Sequence, residues 1–257
     1  MKERLDKIIV SRGVVRSREI AQSLIIEGKV FVDGKKITKP GTLFGEQADI
    51  LLKEPEMPYV SRGGLKLDAA LNFFAVDVKD RVIVDVGAST GGFTDCLLKR
   101  GAKSVYCIDV GYGQLAWSLR NDPRVVVLER TNVRYIDSEI EKQESKFKGS
   151  EFSDLLAGNI DMAAIDVSFI SLTKVVPSVL KLLKKTGEVL ALVKPQFEVG
   201  KGEVGKGGIV REEEKRLKAV GAVREDLETL GLLTVGMFQS PVHGQKGNIE
   251  YFLYMKR

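Results

Sequence analysis

One histidine, His243, and two cysteines, Cys96 and Cys107, are all that the 257 residues offer of the side chains that most often hold transition metals. That scarcity argues against a histidine-based hydrolase, a multi-histidine metal site, a disulfide framework and a cysteine cluster. The two thiols read as reduced, core-lining residues. No stretch approaches the roughly 18 uninterrupted apolar residues of a membrane span. The opening Met-Lys-Glu-Arg-Leu-Asp-Lys carries charge where a signal peptide carries an apolar run. The expectation is a cytoplasmic protein with no metal, whose chemistry rests on lysine, carboxylates or a cofactor.

What is present is a chain 44% hydrophobic and 29% charged, long enough for one large α/β domain and a small module. The net charge of +5 is unevenly spread. Residues 1–39 hold 10 Lys/Arg against 5 Asp/Glu, and the remaining 30 basic and 30 acidic residues cancel. All of the excess lies in the first module, as in a polyanion-binding arm.

Within that module Glu3 to Val10 reads as a short amphipathic helix with Leu5, Ile8 and Ile9 on one face. Ser17 is placed to cap a second helix in which Ile20, Leu24 and Ile25 recur at helical spacing, and Gly28 closes it. Residues 29–36 read as a hairpin turning at Asp33-Gly34, and Asp49 to Lys53 as another strand. The segments Arg4-Leu-Asp, Ser17-Arg-Glu-Ile-Ala and Ile26-Glu-Gly-Lys-Val-Phe-Val-Asp-Gly-Lys resemble the S-four RNA-binding domain, named for a ribosomal small-subunit protein. The resemblance implies a basic face docking on structured RNA. Arg4, Arg12, Arg16, Arg18, Lys29, Lys35 and Lys36 are the side chains expected to reach phosphates, with Arg62 beyond the module. Two prolines in residues 54–61 favour a semi-rigid spacer. The expected organisation is an RNA-binding domain over 1–56, a linker over 57–63 and a larger domain over 64–257.

The larger domain alternates apolar strands (82–87, 104–110, 125–129, 162–168, 188–194, 232–240, 249–257) with helical stretches (64–75, 92–100, 114–120, 171–184, 211–230). Seven strands with no helix between the last two match the Rossmann-like α/β pattern of class I methyltransferases, in which the seventh strand runs antiparallel. The first strand feeds Asp85-Val-Gly-Ala-Ser-Thr-Gly-Gly-Phe-Thr. Gly87 permits a tight turn and close ligand approach, and Gly91 and Gly92 leave amides free at a helix start. Asp109, 22 residues after Gly87, can accept from ribose hydroxyls. A nicotinamide or flavin enzyme would share that acid. It would want a second glycine where Ser89 stands, so the form suits S-adenosylmethionine better. Asp85, Gly87, Ser89, Gly91, Gly92, Phe93, Asp109, Asn132 and Asp166 are the expected contacts, with Glu129 to Asn132 flanking the adenine.

Ligands in parallel sheets bind beyond the carboxyl ends of the strands. Asp166 ends the fourth strand, Lys194 the fifth, just before Pro195, and Glu250 opens the antiparallel seventh, so the three face one rim. Ser61-Arg-Gly-Gly-Leu-Lys-Leu, Asp166-Val-Ser-Phe-Ile-Ser, Val193-Lys-Pro-Gln-Phe-Glu, Val204-Gly-Lys-Gly-Gly and Gly247-Asn-Ile-Glu-Tyr, with the glycine loop and Asp109-Val-Gly-Tyr-Gly-Gln-Leu, are similar to the TlyA family. Its members are labelled both hemolysins and rRNA 2′-O-methyltransferases. The resemblance covers nearly the whole chain. It implies an FtsJ-type catalytic tetrad on Lys66, Asp166, Lys194 and Glu250, with Lys66 placed by resemblance alone, and cytidines of ribosomal RNA as targets.

A ribose 2′-hydroxyl is a poor nucleophile, so such an enzyme must align it and remove its proton. Lys194 is the expected base. Its neutral form is favoured by burial, by Lys66 and by the donor's positive sulfur, and opposed by Asp166 and Glu250. The segment from Phe197 to Gly208, with five glycines and two lysines, reads as a lid over RNA. A membrane-active hemolysin and a catalytically silent ribosome-assembly factor are the competing readings.

Overall fold

The computed structural model describes residues 2–26, 28–45, 47–52, 57–136, 138, 158–200 and 202–257. The chain forms two compact units, residues 1–57 and 58–257.

The first unit begins with strand β1 (Lys2–Arg4), which pairs antiparallel with β4 (Leu43–Gly45). Helix α1 (Leu5–Ser11) therefore starts two residues later than its apolar pattern suggests, because the residues before Leu5 are taken into a sheet. Helix α2 (Arg18–Ile26) is capped as expected: the Ile20 N–H meets Ser17 Oγ at 3.4 Å. Its buried face is Ala21 and Ile25, with Ile20 turned outward. Strands β2 (Val30–Val32) and β3 (Lys35–Ile37) form the hairpin, with Asp33 and Gly34 at φ 49° and 75°, as a two-residue type I′ turn requires. Strand β5 (Ile50–Leu52) pairs on the other side of β2. Lys53, which the sequence pattern gives to that strand, lies outside the described residues. Leu5, Ile9, Ala21, Ile25, Val30 and Val32 close a small core.

Residues 54–56 of the expected spacer also lie outside the described residues. Tyr59 and Val60 of that segment are held within the second unit. The Tyr59 hydroxyl donates to Asp68 Oδ1 at 2.8 Å, and the Val60 N–H to Asp95 Oδ2 at 2.8 Å.

In the second unit, helix α3 (Arg62–Phe73) precedes strand β6 (Val82–Val86). Then follow α4 (Gly92–Lys99), β7 (Ser104–Asp109), α5 (Trp117–Arg120), β8 (Val125–Glu129) and β9 (Ile160–Ile165). After these come α6 (Val176–Val179), β10 (Leu183–Val193), α7 (Pro195–Glu198), α8 (Glu213–Thr229), β11 (Leu233–Gln239) and β12 (Tyr251–Lys256). The sheet order is β11-β12-β10-β9-β6-β7-β8. β12 is antiparallel to both neighbours and the β10-β9-β6-β7-β8 pairings are parallel. This is the expected Rossmann-like seven-stranded arrangement. Both faces of the sheet are covered, so β6 is buried throughout. Val82, Val84 and Val86 enter one core cluster and Ile83 the other, the period of two that a strand imposes.

One expected helix fails. Residues 171–184 give a 3-10 turn (Leu172–Lys174), the single helical turn α6, and the start of β10. Pro177 stands in the first turn of α6, where its missing N–H is harmless, but a helix running from 171 would place it in the interior.

Candidate active site

The carboxyl ends of the parallel strands form one rim. Three non-glycine residues just beyond them hold left-handed backbone: Ser89 after β6, Arg130 after β8 and Phe169 after β9, at φ 48°, 55° and 65°. Such conformations cost about 1–3 kcal/mol each and gather where the chain must turn at a site.

The glycine loop follows β6. Gly87 has φ +86°, and a Cβ there would stand 2.5 Å from the Asp166 carbonyl oxygen, so only glycine lets the two loops pass. Gly91, at φ +93°, is the left-handed residue that starts α4. Asp109 holds the loop from the next strand: Oδ2 accepts the Ser89 N–H at 2.8 Å and Oδ1 the Gly111 N–H at 2.7 Å. A carboxylate retains further lone pairs after two such bonds.

Two cavities meet at this loop, sharing Gly87, Ser89 and Asp166. One, of about 200 Å³, is bounded by Ser61, Arg62, Gly63, Lys66, Gly92 and Phe93, and by His243 and Gly244. The other, of about 750 Å³, reaches Asp109, Gln114, Asn132, Arg134, Phe169 and Phe197. Of the expected cofactor residues, Asp85 and Gly91 line neither. Asp85 is fully buried behind the loop, where Oδ2 accepts the Thr94 N–H at 3.0 Å and its hydroxyl at 2.6 Å, while Oδ1 has no partner. Burial pushes its carboxyl up to about 7; the Thr94 bonds oppose this, and the charges of Asp166 and Asp109 add to it. Phe93 is core as much as lining, packed on Phe252 with ring centroids 6.1 Å apart. Glu129 does not reach the cavity; it is committed to Arg120 and to the Gly113 N–H.

Lys66, Asp166, Lys194 and Glu250 converge as two ion pairs. Lys66 Nζ donates to Glu250 Oε2 at 2.6 Å, joining α3 to the start of β12, and both side chains are nearly buried. Lys194 Nζ lies 2.6 Å from Asp166 Oδ1 and donates to Ser168 Oγ at 2.8 Å. The Asp166 contact is ionic rather than well directed, since Oδ1 accepts no hydrogen bond of good geometry. Lys66 and Asp166 both line the smaller cavity, so the pairs flank one space.

Each member is positioned locally. Lys66 stands on the buried stripe of α3 with Leu67, Ala70 and Leu71. Lys194 directly follows β10, and Pro195 opens α7. Gln196 Nε2 reaches Glu250 Oε1 at 3.3 Å.

Sequence reasoning missed Ser168, Gln196 and Phe169. Phe169 is 87% exposed, strained, and tilted against Phe197 at 4.9 Å between ring centroids. An apolar residue immediately after Asp166-Val-Ser, outside any strand pattern, was the available signal.

The basic residues of the first unit divide. Arg16, Lys35 and Lys36 are exposed, and Lys29 is half-buried. Arg12 donates to the Ala48 carbonyl at 2.8 Å. Arg4 and Arg18 are both bound to Asp6. In the second unit Arg62 donates to the His243 carbonyl at 3.1 Å, on the cavity wall. The expected lid is pinned at its far end: Asn248 Oδ1 accepts the Val210 N–H at 3.2 Å, and its Nδ2 donates to the Gly208 carbonyl at 2.9 Å. Lys201, inside that segment, lies outside the described residues.

Among the described residues no group of histidine, cysteine, aspartate and glutamate is arranged to hold a metal, and no helix is long and apolar enough to cross a membrane.

Comparison with known proteins gives the same outline. The FtsJ-like methyltransferase family matches residues 59–257 and the S4 domain, the S-four module of the sequence reading, matches residues 3–50. The 16S/23S rRNA (cytidine-2′-O)-methyltransferase TlyA of Mycobacterium tuberculosis is 46% identical, over 98% of this chain and 89% of its own. Hemolysin A of Brachyspira hyodysenteriae is 41% identical, over 98% of each. A solved Streptococcus thermophilus structure, named for hemolysins, is 40% identical with a TM-score of 0.72, covering 100% of this chain and 88% of its own. With identity of this order along the whole length, the chain belongs to the TlyA family of FtsJ-like methyltransferases.

Proposed function

We propose that this chain transfers a methyl group from S-adenosylmethionine to the 2′-hydroxyl of a cytidine in ribosomal RNA. The observation that carries the reading is the pair of lysine–carboxylate contacts, each 2.6 Å, flanking the space in front of the Gly87 loop. The target class follows the TlyA relative, whose name specifies cytidines of both ribosomal RNAs.

The loop fits the donor. Backbone comes close to the space at Gly87 where any Cβ would collide, and two cavities meeting at Ser89 and Asp166 suit a ligand with two unlike ends. Asp109 and Asn132 would hold the nucleoside end, and Gly63, Ser89 and Gly92 the amino-acid end. When bound, S-adenosylmethionine supplies an electrophilic methyl on a positive sulfur.

The remaining work falls to the chain's own groups. Lys194 takes the hydroxyl proton on Nζ as the ribose oxygen becomes methylated. Asp166 and Ser168 hold the Lys194 amine in place beside the space that the hydroxyl would enter. Glu250 holds Lys66, which lends positive charge to the pocket without leaving a buried carboxylate bare. Phe169 offers an exposed ring at the rim on which a base can stack. The S4 module supplies phosphate contacts that hold the RNA without reading its sequence.

The test is incubation of unmodified ribosomal subunits with labelled donor, followed by alkaline digestion, in which a ribose-methylated site survives as a resistant dinucleotide. The Lys194→Ala variant should lose that product, by a factor of 100 or more on the order expected for a general base, with donor affinity nearly unchanged. Substantial turnover by that variant would remove Lys194 from the role of base, and absence of the resistant product with the unaltered chain would remove the reaction.

A further inference from the structure

Asp6 sits in the first turn of α1 and is fully buried, yet the arginines that reach it are not. Its Oδ1 accepts Arg4 Nε at 3.0 Å. Its Oδ2 accepts Arg4 Nη2 at 2.9 Å, Arg18 Nε at 3.0 Å and Gln22 Nε2 at 2.8 Å. One carboxylate thus gathers donors from the strand before α1 and from two turns of α2. The Arg4 and Arg18 side chains remain 42% and 46% exposed.

The charge count is uneven by design of the geometry. Two cations meet one anion that has no surface of its own, so Asp6, Arg4 and Arg18 together show solvent positive charge, with the exposed Glu19 carboxylate within electrostatic reach of Arg18. Each guanidinium carries five N–H donors in a rigid fork. Arg4 spends Nε and one Nη2 donor on Asp6, and Arg18 spends only Nε. The outward edges stay available, in fixed orientation. The Arg4 bond holds the Asp6 carboxyl well below the usual carboxylate range, with the Gln22 and Arg18 bonds adding to this and burial opposing it, so the clamp stays ionised across neutral pH.

We propose that Asp6 is a positioning residue for RNA: it presets Arg4 and Arg18 side by side as a rigid phosphate-binding fork. Holding both guanidinium groups before contact reduces the side-chain entropy lost on binding, about 0.5–1.5 kcal/mol for each immobilised long side chain. This rests on the reading of the first unit as an RNA-docking module.

The sign of one substitution separates positioning from bulk charge. Asp6→Asn makes the module more positive by one unit, so electrostatics alone predicts tighter, more salt-sensitive binding. Positioning predicts the reverse. The measurement is affinity of the full-length labelled chain for purified bacterial ribosomal subunits across a salt series, with donor affinity and thermal unfolding as controls. Asp6→Asn should weaken subunit binding about 5- to 20-fold and flatten the salt dependence, while donor affinity holds. Arg18→Lys keeps the charge at an exposed helix start but cannot both grip Asp6 and present a fork; it should lose nearly as much as Arg18→Gln. That second variant carries the test if Asp6→Asn does not fold. Binding by Arg18→Lys equal to the unaltered chain, or tighter binding by folded Asp6→Asn, overturns the proposal. If Arg4→Gln and Arg18→Gln also leave binding unchanged, the RNA-docking reading of the module fails instead.

Discussion

At the scale of single residues, Asp85 is the group whose titration the fold has moved furthest into the neutral range. Its folded carboxyl is raised to about 7, against roughly 3.9 in an unfolded chain. Below pH 4 both states hold the proton and the burial costs nothing. As pH rises from about 4 to about 7 the unfolded chain gives up the proton while the folded chain keeps it, so stability falls with pH and levels off beyond. Three pKa units set a ceiling of about 4 kcal/mol on this loss. Asp85→Asn cannot ionise, so its stability relative to the unaltered chain should improve as pH rises from about 4 to about 7 and then level off. Urea unfolding of both at several pH values measures the difference, and a difference independent of pH would contradict the raised carboxyl. None of this was legible from residue order. Asp85 looks like a ligand contact in the sequence because it opens the glycine motif, but in the fold Thr94 claims one oxygen while the other is left bare.

At the scale of elements, the glycine loop concentrates the dependence of the site on backbone geometry. Gly87→Ala would force a Cβ against the Asp166 carbonyl at 2.5 Å, on a backbone of positive φ. The expected result is a loss of roughly 1–3 kcal/mol of stability and of at least tenfold in donor affinity, measured by denaturation and calorimetry. Donor affinity unaltered by that change would mean the ligand does not approach this turn. Strand ends were the most legible features of the chain, because each candidate residue stands one position from a run of apolar residues with period two. That rule placed Asp166, Lys194 and Glu250 on one rim. Lys66 was not reachable by it, being on a helix, although a lysine among Gly64, Leu67, Ala70 and Leu71 on one helical face is the pattern of an amine aimed inward. The helix over 171–184 was misjudged because apolar spacing alone cannot see that Pro177 must begin a helix. The start of α1 was misjudged because pairing with Leu43–Gly45, 39 to 43 residues away, captured Lys2–Arg4.

At the scale of the whole molecule, charge and chemistry are divided between two units. Residues 1–39 carry the entire net positive charge, whereas Lys66, Asp166, Lys194 and Glu250 cancel one another as two ion pairs. Affinity for RNA and affinity for the methyl donor should then respond differently to salt. Each phosphate neutralised on duplex RNA-like structure lowers the logarithm of the association constant by about 0.9 per decade of salt. If about four of Arg4, Arg12, Arg16, Arg18, Lys29, Lys35 and Lys36 reach phosphates, raising salt from about 50 to about 200 mM should weaken subunit binding roughly a hundredfold. Donor binding depends on a glycine loop, an aspartate and closely fitting walls, and should change by less than about threefold over the same range. Filtration binding to ribosomal subunits and calorimetry with the donor give the two slopes on one preparation. Parallel slopes would mean that the basic first unit does not supply the RNA affinity. A steep slope for subunits beside a flat one for the donor is what a charged docking module joined to a catalytic tetrad of internally paired charges must produce.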